Sequence, residues 1–106
     1  MADAPKAHPP RAGWLCMYYV YIIYSEKVDK FYISYSEDLK ERIARHNSGR
    51  SNFTSKGSPW VLVHYQGFLV KKDAQEEEKF LKTGKGRERT RYLLKTFIEN
   101  KKWRDG

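Results

Sequence analysis

Met17-Tyr-Tyr-Val-Tyr-Ile-Ile-Tyr24 is followed by a polar run, Ser25 to Lys30, and then by Phe31-Tyr-Ile-Ser-Tyr35. Both apolar runs are crowded with β-branched and aromatic residues, and the short polar connection predicts two strands joined as an antiparallel hairpin. Strand alternation places Tyr19, Tyr21 and Ile23 on one face of the first strand and Val20 and Ile22 on the other.

Working outward, Ser36 is a suitable N-cap, Glu37 and Asp38 suit the positive end of a helix dipole, and Leu39, Ile43 and His46 recur at helical spacing. A helix from about Glu37 to His46 is expected, stopped by Asn47-Ser-Gly49, with an aperiodic loop from Arg50 to Pro59. Trp60 to Phe68 alternates again and supplies a third strand. Asp73 with Glu76 three residues on reads as a capping box for a second helix reaching about Lys82. Gly84-Lys-Gly86 breaks the chain before a third helix, Arg87 to about Glu99, with Leu93, Leu94, Phe97 and Ile98 as its apolar stripe. The order β-β-α-β-α-α predicts an α+β fold, a small three-stranded, mostly antiparallel sheet flanked by helices that bury its apolar residues.

The 106 residues leave room for one core, since a second would need roughly another 50. Twenty-one Lys and Arg against 13 acidic residues give a net charge of +8 and a pI near 9.6, which favours a polyanionic partner, nucleic acid or an anionic membrane surface. Met17 to Tyr24 is far too short for a membrane span. The single cysteine, Cys16, makes no intrachain disulfide, and no Cys/His set has zinc-site spacing, so a reducing, cytoplasmic setting is expected. Residues 1–16 carry three prolines and no apolar h-region; they read as a disordered leader, with the domain over 17–100 and a basic tail over 101–106.

Three places look chemical. Ala74, Glu78 and Leu81 fall at i, i+4 and i+7, which sets a carboxylate inside the stripe that should face the sheet. Burial there requires a cation, either a basic side chain in a structural ion pair or a metal. Arg42 lies about one turn from both Leu39 and His46, where its guanidinium either covers the core with its stem or braces a phosphate bidentately. His46 either caps its helix or acts on a phosphate. Finally, Lys82, Lys85, Arg87, Arg89 and Arg91 crowd the glycine break, giving either a phosphate-contact patch or a solvated charged face. The spacing is not that of a Walker A loop.

Taken in order, Tyr19-Val-Tyr21, Tyr32-Ile-Ser34 and Ser36-x-Asp38-Leu-x-x-Arg42-x-x-x-His46-Asn47 resemble the GIY-YIG nuclease pattern and its arginine helix. Ala74-x-x-x-Glu78-Lys-x-Leu-Lys82-x-Gly-Lys-Gly-Arg87 looks like the family's glutamate helix as found in small stand-alone bacterial members, which resemble the N-terminal nuclease domain of the excision-repair endonuclease subunit. The resemblance runs from about Met17 to Leu94. It implies a metal-dependent endonuclease that hydrolyses DNA phosphodiesters, with a DNA-repair setting, and an active site of Tyr21, Tyr32, Arg42, His46 and Glu78. By that likeness Glu78 would hold one Mg²⁺ or Mn²⁺, with water and a substrate phosphate oxygen completing the shell. Tyr21 would be the general base, assisted by Tyr32 or His46, and Arg42 would stabilise developing negative charge. A tyrosine of ordinary pKa is a poor base at neutral pH, so this role calls for cations that lower it. Lys82, Lys85 and Arg87 would contact nucleic acid.

Two positions depart from the pattern. Tyr19 stands for the first-motif glycine, as is common in the stand-alone members. Ser34 stands for the second-motif glycine, where a side chain could displace Tyr32 or narrow the phosphate path. A nucleic-acid-binding module that keeps the fold without turnover is therefore the alternative function, and a protein-interaction domain whose charge serves solubility is a third.

Overall fold

The computed structural model describes residues 17–48 and 54–105, with side chains as far as residue 100. β1 (Tyr18–Ser25) is the centre of a three-stranded antiparallel sheet, flanked by β2 (Lys30–Ser36) and β3 (Trp60–Phe68). The central place falls to β1, which has no charged residue and is buried from Val20 onward. In this register Tyr21 lies opposite Ser34 on β2 and Tyr65 on β3. A register shift between Ile22 and Ile23 makes Val63 an extra residue on β3 and keeps Leu62 and Trp60 on the Tyr21 face.

The predicted sheet and element order are present, but three helix boundaries differ. α1 (Leu39–Asn47) is capped by Asp38, whose carboxylate accepts from Glu41 N at 3.0 Å, so it begins two residues later than expected. Ser36 Oγ instead accepts from Asp38 N, forming the turn into the cap. α2 (Lys71–Leu81) starts ahead of the expected capping box, placing Asp73 inside the first turn, where its charge suits the dipole. The helix expected over Arg87–Glu99 is two: α3 (Gly84–Leu93) and α4 (Lys95–Asp105), separated at Leu94, whose φ −108° and ψ 22° leave the helical range.

Gly84 and Gly86 thus form the first turn of α3 rather than a break, with Thr83 Oγ1 accepting from Gly86 N at 3.1 Å. α4 continues through residue 105, into the segment expected as a basic tail. The expected leader, 1–16, lies outside the described residues. Within the expected loop, Ser55–Gly57 forms one 3₁₀ turn.

Alternation along β1 divides the interior in two. On one face Val20 packs with Ala74 and Leu81 of α2, joined by Tyr18, Ile33, Tyr35 and Phe68. On the other, Tyr21, Ile23 and Trp60 pack with Tyr32 and with Leu39 and Ile43 of α1. α4 closes one end through Phe97, whose ring meets Tyr24 edge-on at 5.5 Å and Phe31 at 6.3 Å. Among the described residues no helix is long and apolar enough to cross a membrane.

Candidate active site

The side chain of Tyr21 points from the middle of β1 into the α1 face and is fully buried. Its hydroxyl lies 2.7 Å from His46 Nε2. His46, at the last turn of α1 and only 3% exposed, is held from its other side by Thr54, with Nδ1 2.9 Å from Oγ1. Tyr32 on β2 crosses the His46 ring edge-on at 5.3 Å between centroids. Three of the five residues in the expected set therefore meet around one imidazole.

Charge states follow from burial. Desolvation pushes the Tyr21 hydroxyl above its ordinary value, outweighing hydrogen bonds from Ser34 and Arg42 and the Arg42 charge, which pull it down. His46 is held below its ordinary value by desolvation first, then by the charges of Arg42 and Arg45. With the tyrosine protonated and the histidine neutral, both ring nitrogens are hydrogen-bonded in either tautomer, because the Tyr21 and Thr54 hydroxyls can each donate or accept. The expectation that nearby cations lower the tyrosine is not met by the protein alone, because removal from water dominates.

Arg42 and Glu78 come from helices on opposite faces of the sheet and meet around the β2 edge. Both line a cavity of about 390 Å³, whose wall includes Ser34, Ser36 and Glu41. Arg42 Nε is buried and has no hydrogen-bond partner among the described residues, a donor that an anion would satisfy. Glu78 has a side chain only 18% exposed and pairs with Lys82 across one helical turn, Oε2 to Nζ at 3.0 Å. The cation that the apolar stripe demanded is thus supplied in part by Lys82.

A single hard divalent cation fits this set. Glu78 presents a carboxylate at the cavity wall, and no cluster of three or more Asp, Glu, His or Cys among the described residues supplies a full cage, so solvent and substrate oxygens would complete the shell. Ser34 lines the same cavity and is the cross-strand neighbour of Tyr21, so the serine borders the buried hydroxyl. Lys85 and Arg87 are exposed on the first turn of α3, whereas the charge of Lys82 is shared with Glu78.

Thr54, Asn47 and Trp60 escaped sequence reading as parts of the site. Thr54 O accepts from Trp60 Nε1 at 2.7 Å, fixing the threonine that orients His46. The Asn47 amide spans the Trp60 backbone, its oxygen accepting from Trp60 N and its Nδ2 donating to Trp60 O at 3.1 Å. Asn47 had a signal, adjacency to His46 at a helix end; Thr54, in an aperiodic loop, had none.

The model of the GIY-YIG catalytic domain matches residues 17–92 of this chain. The chain is 34% identical over 79 residues to the "UPF0213 protein in ldhD 5'region" of Pediococcus acidilactici, covering 72% of this chain and 80% of that protein. It is 35% identical over 86 residues to UPF0213 protein SpyM3_1077 of Streptococcus pyogenes serotype M3, covering 79% of this chain and 91% of the relative. No solved structure matches.

Proposed function

We propose, from the premise that this chain belongs to the GIY-YIG family, that it is an endonuclease hydrolysing DNA phosphodiester bonds with one divalent cation, Mg²⁺ or Mn²⁺. The observation that carries this reading is the meeting of Arg42 and Glu78 at one cavity bordered by Ser34, the cross-strand neighbour of Tyr21.

In this mechanism Glu78 holds the metal. When bound, the metal supplies Lewis-acid polarisation of the phosphate and lowers the cost of water deprotonation. Arg42 takes a non-bridging phosphate oxygen, which satisfies its buried Nε and offsets the charge that builds on phosphorus.

Tyr21 acts as a relay. With Nδ1 carrying the imidazole proton, its hydroxyl donates to Nε2, so it accepts a proton from the water side as its own passes to the ring. The phenol need not be ionised beforehand, which removes the difficulty of a tyrosine raised by burial. Ser34 lines the cavity and is the cross-strand neighbour of Tyr21, so its hydroxyl is the group through which the two would connect. Thr54 holds the ring at Nδ1, and its hydroxyl accepts from Nδ1–H in the tautomer that leaves Nε2 open to the proton.

Incubating purified protein with plasmid, single-stranded and branched DNA in Mg²⁺, Mn²⁺ or EDTA tests this reading, with Glu78→Ala alongside. Metal-dependent cleavage that disappears in Glu78→Ala, with most binding retained, is expected. Undiminished cleavage by Glu78→Ala overturns the site. Salt-sensitive binding with no cleavage under any metal supports a binding module instead.

A further inference from the structure

Beside the site lies a second concavity that the reaction leaves unused. A groove of about 760 Å³ runs between α1 and β3, walled by Leu39, Ile43 and Leu62 and bordered by Tyr19 and Tyr65. Tyr65 is 55% exposed although it belongs to the sheet. It is the cross-strand partner of Tyr21, so its ring projects from the same face immediately next to the proposed centre. Tyr19, two residues before Tyr21, meets Tyr65 edge-on at 5.9 Å. Opposite Tyr19 is Gly67; a Cβ there would stand 2.9 Å from Met17 Cε and 3.5 Å from the Tyr19 ring, so glycine lets the tyrosine lie close over β3.

We infer that this groove receives an unpaired nucleobase of the substrate strand, stacked on the Tyr19–Tyr65 pair while the adjoining phosphate occupies the Arg42–Glu78 cavity. The inference rests on the endonuclease reading and adds its substrate class: single-stranded, flapped or gapped nucleic acid in preference to intact duplex.

Three observations select this occupant. The groove and the cavity share Glu37 and Asp38, so the two concavities adjoin and neighbouring nucleotides can occupy them together. Apart from Glu37, Asp38 and Lys40 the groove's wall is aliphatic and aromatic, matched to the flat face of a base rather than to a phosphate. The chain carries +8, which favours a polyanion as its partner, and Lys40 lines the groove. A base inside a duplex keeps its faces covered by neighbours and cannot use the platform, whereas an unpaired base enters without breaking a pair.

The test compares wild type, Tyr65→Ala and Tyr65→Trp in EDTA, binding a short fluorescent single strand and the duplex of the same sequence. Stacking predicts that wild type prefers the single strand and that Tyr65→Ala weakens that complex by roughly 5- to 100-fold. Duplex binding should stay within about twofold, and Tyr65→Trp should restore the preference. A 2-aminopurine base in the strand should be quenched by wild type and not by Tyr65→Ala. Equal loss on both substrates, or none on either, overturns the groove assignment. Metal-dependent cleavage by wild type, measured in parallel, separates the two ideas. Cleavage with a silent Tyr65→Ala removes the platform alone; absence of both cleavage and binding removes the endonuclease reading with it.

Discussion

The hydroxyl of Tyr21 and Nε2 of His46, 25 residues apart in the chain, are 2.7 Å apart in a pocket that burial keeps uncharged. The shifts act on stability at opposite ends of the pH scale. For His46 the unfolded chain binds the proton more tightly, so stability is full above the ordinary histidine pKa of about 6.5 and falls as pH drops below it. For Tyr21 the folded chain retains a proton that the unfolded chain releases, so stability falls as pH rises above about 10.

NMR titration of the His46 ring should therefore give a midpoint below 6.5, and the urea midpoint should decline between pH 7 and 5. His64, also held low by burial and by Arg89, contributes in the same direction, so the assigned ring signal is the decisive reading. A His46 midpoint at or above 6.5 would show that the imidazole is not desolvated.

Lys82 competes with any cation for Glu78. Lys82→Met should lower the metal concentration for half-maximal cleavage by roughly 2- to 10-fold, the scale of a partly buried ion pair. A rise in that concentration, or loss of DNA affinity with no change in metal dependence, would instead give Lys82 to the nucleic acid.

Ser34→Ala removes the hydroxyl that pulls the Tyr21 phenol down but leaves the strand intact. The phenol should move further up and cleavage should slow several-fold, at a stability cost of about 1 kcal/mol or less. Faster cleavage would identify Ser34 as an obstruction to the phosphate path.

Lys85→Ala with Arg87→Ala should weaken binding to all sequences alike and reduce the slope of log affinity against log salt by roughly 1 per residue. An unchanged slope would mean that the first turn of α3 faces no phosphate.

The two glycines that open α3 should differ sharply. A Cβ on Gly86 would meet Phe80 O at 2.0 Å and Leu81 Cα at 2.4 Å, both backbone atoms of α2, whereas one on Gly84 meets nothing within 4 Å. Gly86→Ala should cost about 1–3 kcal/mol or prevent folding, and Gly84→Ala should be neutral or stabilising by up to about 1 kcal/mol. Denaturant melts of both variants decide it; equal effects would contradict the close α2–α3 crossing.

Alternation made the sheet readable, because a strand with Val20, Ile22 and Tyr21, Ile23 on opposite faces must be covered on both. Helical period likewise exposed Glu78 as a carboxylate out of place. The helix ends were less legible, since Ser36 and Asp38 are both good caps and the choice depends on which can reach Glu41 N. Nothing local marks the break at Leu94, which has neither Pro nor Gly nearby; beyond it, the packing of Phe97 on Tyr24 and Phe31 is a tertiary effect. Thr54 was invisible for a related reason: its role is set by proximity to His46 and Trp60 across a loop without period.

The cavity at the β2 edge has walls that belong to two separate cores, Arg42 riding on the α1 side and Glu78 on the α2 side. Its width is consequently an elastic property of the sheet between them. Whatever bridges the two side chains ties together packing layers that lie on opposite faces of the three strands. A ligand that needs both side chains binds only the folded arrangement, so its occupancy raises the stability of the whole domain.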